Sequence, residues 1–130
     1  MYQRISIIGN LGRDPNMRVT PQGRSVTDMS VATNRKWTGS DGVQHEDTAW
    51  FRVTCWGALA EVANQYLAKG RQVYVEGRLQ PDPETGGPRI WTDNQGQQRA
   101  SFEVVADTVK FLGNGQRNEA SNDTPGDIPF

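Results

Sequence analysis

One stretch of the chain, and only one, spaces its apolar residues for a helix. Leu59, Val62, Ala63, Tyr66 and Leu67 fall at i, i+3, i+4, i+7 and i+8, a single stripe over two to three turns. Gly57 precedes the stripe, Gly70 stops it, and Lys69 suits the negative end of the helix dipole. On either side the pattern is that of strands. Residues 5–8 form a β-branched run, 25–33 are mostly Val, Thr, Met and Ser, and 48–56, 72–79 and 102–111 complete the set. Asp14-Pro15, Pro21-Gln22-Gly23, "TGSDG", "PDPETGGP" and "DNQGQQ" are the turns between them.

Three strands, one helix and two strands predict a small closed all-β fold. The five-stranded OB-fold barrel, with its short helix between strands three and four, accommodates that order. The 130 residues suffice for one domain with its own core. "MYQRISIIGNLGRD" contains neither a signal peptide nor a membrane span, and the single cysteine, Cys55, forms no intrachain disulfide. A soluble, cytoplasmic protein with no membrane role is the expectation.

The formal charge of −1 is unevenly spread. Residues 1–112 hold one more basic than acidic side chain, whereas 113–130 set Arg117 against Glu119, Asp123 and Asp127. The body tolerates a polyanion and the tail does not. The tail, polar through "GNGQRNEASNDTP", ends on Asp127, Ile128, Pro129 and Phe130. An apolar tip on a solvated tether reads as a hook for another protein rather than a strap on its own core. Pro129 limits the conformations of its neighbours and so lowers the entropy lost on docking.

The four tryptophans carry the functional signal. A lone Trp is accounted for by core packing, but strand parity separates these. In 48–56, Phe51, Val53 and Cys55 share one face, while Trp50, Arg52, Thr54 and Trp56 share the other. Two indoles with a guanidinium make a poor core and a good stacking platform. At ~3.3 Å per residue the indoles stand ~20 Å apart, within reach of different bases on one strand. Cys55, on the core side, is a small buried hydrophobe. Parity leaves Trp37 open, because it shares phase with Met29 and Val31, and Trp91 falls in a loop or irregular hairpin.

Basic residues interleave with the aromatics, a combination suited to single-stranded nucleic acid: stacking is indifferent to base identity and cations hold phosphates. Duplex recognition favours a basic helix or ribbon, and the single helix here is nearly neutral. No catalytic constellation appears. With one His and one Cys, imidazole clusters and thiolate zinc sites are excluded. Asp82 with Glu84, and Glu46 with Asp47, are the carboxylate pairs a Mg²⁺-dependent nuclease would need, and loop carboxylates are ordinarily solvated charge. No metal, cofactor or enzymatic activity is expected.

"GNLGRDP", "PQGRSVTDMSVATN", "TAWFRVTCWGALAEVANQYLAKGRQVYVEGRL", "WTDNQGQQR" and the terminal "DIPF" resemble the bacterial single-stranded DNA-binding protein family. The resemblance covers residues 3–112 and the last four. It implies an OB-fold domain over 1–112, a short flexible linker over 113–126 and a partner-binding tip over 127–130. It further implies a homotetramer that coats single-stranded DNA without sequence preference, associated with the nucleoid. Replication, recombination and repair proteins are the implied partners of Asp127, Ile128, Pro129 and Phe130. The family's stacking positions fall on Trp37, Trp50, Trp56 and Trp91. Its phosphate positions fall on Arg4, Arg18, Arg52, Lys69 and Arg89. The chain departs from the family in three places. "PDPETGG" lengthens the connection before Trp91, the 14-residue linker reaches only ~20 Å as a coil, and few acidic residues precede the tip. An OB-fold RNA- or translation-related binding protein is the alternative on the same fold; "RIWTDNQG" and the tip speak against it.

Overall fold

Strand after strand pairs with its neighbour until the sheet meets its own edge. The computed structural model describes residues 1–113. In it lie β1 (Ile5–Leu11), β2 (Asn16–Val19), β3 (Ser25–Thr38), β4 (Gln44–Trp56), α1 (Ala58–Tyr66), β5 (Gln72–Leu79), β6 (Arg89–Thr92) and β7 (Gln98–Phe111). The strand order is β1-β5-β7-β4-β3-β2, and β1 also pairs with β3. Five strands, β1, β5, β7, β4 and β3, therefore close the expected OB-fold barrel. Every pairing is antiparallel except β4 with β7. The linker over 113–126, apart from Gly113, and the tip over 127–130 lie outside the described residues.

β2 and β6 were not expected as strands. Each is four residues long and contains no buried residue, so neither carries the buried alternation that marks a strand in sequence. Each joins a barrel strand on an edge it shares with another: β2 pairs with Ser25 to Asp28 while β1 takes Val31 and Ala32, and β6 pairs with Gln98 to Ser101 while β5 pairs with β7 from Val104 to Phe111. β3 and β4 also run on as a ribbon past the barrel, pairing without a break from Val26↔Trp56 to Thr38↔Gln44.

Ile7, Leu11, Met29, Val31, Val53, Cys55, Val73, Val75, Val104 and Ala106 fill the barrel. Burial of each Val contributes about 1.5–3 kcal/mol. The Cys55 thiol is fully buried, and desolvation, aided by the charge of Asp28, pushes its pKa up to about 12. It remains a protonated hydrophobe. Gly9 and Gly77 sit where strands cross too closely for a side chain: a Cβ would strike the Ala32 carbonyl at the first and the Val105 carbonyl at the second. Gly77 also marks the one register shift between β5 and β7.

The helix forms over the expected stretch but is rotated about its axis. Ala60, Ala63 and Leu67 are buried, whereas Val62 and Tyr66, 39% and 53% exposed, face outward. The two alanines explain the difference. They let the helix backbone approach the barrel, and the Thr27 hydroxyl donates to the Ala60 carbonyl at 2.7 Å. Tyr66 packs instead on Phe111, ring centroids 5.9 Å apart. Lys69 lies beyond the last turn, and its backbone N–H donates to Asp14 Oδ1 at 2.9 Å.

Candidate nucleic-acid interface

The parity of β4 is realised in the fold. Val53 and Cys55 are fully buried and Phe51 packs against the core, while Trp50, Arg52, Thr54 and Trp56 look outward. Register extends this outer face sideways. Arg52 lies opposite Ser30 on β3 and Glu103 on β7. β7 then carries β6, with Arg89 opposite Ser101 and Trp91 opposite Arg99. Directly opposed residues point to the same side of a sheet, so Trp50, Arg52, Trp56, Arg89 and Trp91 share one face. Trp91, expected in a loop or irregular hairpin, stands on the regular strand β6 of the β6–β7 hairpin.

Each indole on this face is held differently. Trp50 is 53% exposed, and Gly12 lies against its ring: a Cβ there would be 2.5 Å from Cζ3. Trp56 is half-buried beside the fully buried Val26, with the Arg24 guanidinium 4.5 Å over its ring. Trp91 carries Arg89 at 4.9 Å. Such cation–π contacts fix ring orientation at roughly 0.5–1 kcal/mol each on a surface. Gly12 and Arg24 escaped the residue-by-residue reading. Neither belongs to a periodic pattern, and their effect depends on which ring folds against them.

Trp37 belongs elsewhere. Because the β3–β4 ribbon has no irregularity, Trp37 keeps the phase of Met29 and Val31, opposite in pleat to the Trp50 face. Beyond the barrel that phase meets no core. Trp37 stacks on its register partner His45, centroids 5.2 Å apart at 24°, with Arg35 4.4 Å over the ring.

The phosphate candidates also divide. Arg18, Arg52 and Arg89 stand on the Trp50 face and are paired with carboxylates: Arg18 with Asp28 at 2.9 Å, Arg52 with Asp28 at 3.1 Å and Glu103 at 3.5 Å, Arg89 with Glu103 at 3.7 Å. Arg4 is gripped in bidentate fashion by Asp107, at 2.8 and 3.0 Å, with Glu76 at 3.5 Å. That hydrogen bonding raises the Arg4 pKa and holds the Asp107 carboxyl below the usual carboxylate range. The Lys69 ammonium makes no ion pair among the described residues.

The "PDPETGGP" segment is a capped turn. Asp82 Oδ1 accepts the Glu84 N–H at 2.8 Å and the Asp82 carbonyl accepts the Gly86 N–H at 2.8 Å. Among the described residues, no three His, Cys, Asp or Glu side chains gather as a metal site. At the turn and the Leu79 end of β5, Leu79, Pro81, Pro88, Phe102 and Glu103 line a cavity of about 300 Å³.

The model of the single-strand binding protein family matches residues 2–112. The chain is 41% identical over 111 residues to single-stranded DNA-binding protein 1 of Chlorobaculum tepidum, covering 85% of this chain and 64% of that one. It is 40% identical over 122 residues to the single-stranded DNA-binding protein of Neisseria meningitidis serogroup A, covering 94% and 65%. The chain thus spans somewhat under two thirds of the length of these relatives. Among solved structures, the Plasmodium falciparum SSB in complex with ssDNA superposes with a TM-score of 0.70 at 27% identity, covering 86% of this chain and 96% of that one. A deletion mutant of the single-stranded DNA binding protein from Thermus aquaticus gives 0.65 at 30% identity, covering 84% and 49%. An OB-fold barrel with a tryptophan-bearing outer sheet, matched by that family model along nearly its whole described length, belongs to the single-strand binding protein family.

Proposed function

We propose that the protein binds single-stranded DNA without sequence preference and protects it, acting as a binding protein rather than an enzyme. The observation that carries this reading is the register that sets Trp50, Arg52, Trp56, Arg89 and Trp91 on one sheet face. Bases stack on the indoles, Trp50 foremost, each worth ~1–3 kcal/mol and tolerant of any base. Arg18, Arg52, Arg89 and Lys69 steer the phosphates. Trp37, on the ribbon, and Arg4, tied to Asp107, serve a strand that wraps beyond the central face. The relatives named for single-stranded DNA support this assignment. Homotetramer assembly, and recruitment of replication, recombination and repair proteins through Asp127, Ile128, Pro129 and Phe130, rest on the family resemblance.

Tryptophan fluorescence tests the reading. Oligo-dT is expected to quench emission strongly and in a salt-dependent way, and a duplex of equal length hardly at all. Equal quenching by duplex defeats the proposal. Mass measurement by light scattering tests the tetramer. Deletion of Phe130 is expected to remove partner binding while oligo-dT affinity is held or raised.

A further inference from the structure

The outer face carries its charges in an order that its basic composition does not suggest. Across five neighbouring strands, β2, β3, β4, β7 and β6, stand Arg18, Asp28, Arg52, Glu103 and Arg89. Signs alternate at every step, and each neighbouring pair is an ion pair at 2.9–3.7 Å. The two acids lie low, their side chains 11% and 12% exposed, while the three arginines lean over them at 36–55%. Both acids are tethered to the sheet. Thr54 donates to Asp28 Oδ1 at 3.2 Å and Ser101 donates to Glu103 Oε2 at 2.8 Å. A phosphate arriving from solvent meets the guanidinium groups but does not push the carboxylates out to water. The row therefore offers a polyanion a net charge of one, not three, and keeps two fixed negative charges beneath it.

Building on the proposed binding of single-stranded DNA, we propose that Asp28 and Glu103 are built-in competitors for the phosphate backbone. They weaken the arginine grip, shift the balance of affinity toward base stacking, and let a bound strand rearrange on the face. A purely orienting role predicts the opposite sign, because arginines freed from their partners would lose geometry and bind less well. The two roles are separable by experiment.

Asp28→Asn and Glu103→Gln keep the shape and the hydrogen bonds to Thr54 and Ser101 while removing one negative charge each. Glu61→Gln, on α1 and outside the row, changes net charge equally and serves as the control. Oligo-dT affinity is measured across salt concentrations with full-length protein, with dissociation rates by competitor chase and a thermal melt of each variant. The expected result for Asp28→Asn is about tenfold tighter binding at low salt. The log–log salt slope should steepen by about 0.7, dissociation should slow, and Glu61→Gln should show no such change. Glu103→Gln is expected to follow in the same direction and provides the test should Asp28→Asn fail to fold. Equal or weaker binding with an unchanged slope in a folded variant overturns the competitor role and leaves orientation as the function of the acids. An equal gain in Glu61→Gln also overturns it, as a generic charge effect. Failure of the wild-type protein to bind oligo-dT is a different result, and defeats the underlying assignment instead.

Discussion

Trp50 and Trp37 lie on the same pair of strands, yet their surroundings have little in common. Trp50 projects from the wall of a filled barrel. Val53 and Cys55 are buried on the other side of its strand, neighbours on β3 and β7 flank that strand, and Gly12 lies against the indole. Trp37 projects from a two-stranded ribbon with no core behind it, its orientation resting on His45 and Arg35. An isolated ribbon is marginally stable in water. One tryptophan is thus positioned by the whole fold and the other by two local contacts.

The comparison is broken most directly by removing each ring. Trp50→Ala is expected to cost ~1–3 kcal/mol of oligo-dT affinity, and Trp37→Ala about 1 kcal/mol at most. Equal losses in equilibrium titrations would show that the ribbon is as well organised as the barrel wall. Gly12→Ala should come next. Its methyl group needs the space of the Trp50 ring, and the swing of the indole should lower affinity by about 1 kcal/mol, with the melting temperature little changed. His45→Ala should act on the ribbon alone, shifting Trp37 emission while binding through Trp50 persists; single-tryptophan variants read this out.

The smallest effect concerns acid. The Asp93 carboxyl is held below its ordinary value of 3.8, chiefly by the Gln97 N–H and then by Arg99. A depressed carboxylate stabilises the folded turn above the ordinary value, and that contribution fades as pH falls through the lowered one. Amide exchange at Gln95 and Gln97 should therefore quicken at strongly acid pH beyond the intrinsic trend, with the core amides of β4 unaffected.

Strand parity made the Trp50 face legible because Phe51, Val53 and Cys55 fall on one side of residues 48–56 and that side is turned to the core. The same rule left Trp37 open, since parity tells which side a residue takes but not whether the core extends that far. β6 and the helix rotation were illegible for related reasons. A four-residue strand with no buried residue has no buried phase to betray it, and an apolar stripe containing alanines does not say whether size or hydropathy will decide the contact. The carboxylate partners of the arginines were beyond reach as well. Asp28 and Glu103 are 75 residues apart in sequence and meet through Arg52 only once β3, β4 and β7 are side by side.

The barrel closes at β1 and β3 through just two residue pairs, Asn10↔Ala32 and Leu11↔Val31, whereas β1 meets β5 through six. The closure is a clasp on an otherwise continuous belt. Gly9 keeps the two backbones close enough to fasten, and the Leu11 N–H and carbonyl are taken by Arg71 and Gly70 rather than by another strand. A belt opens at its clasp. Breathing of this molecule should begin between β1 and β3, beside the Gly12 that lies against Trp50, so the flexibility of the seam and the attitude of the foremost indole are joined within three residues of chain.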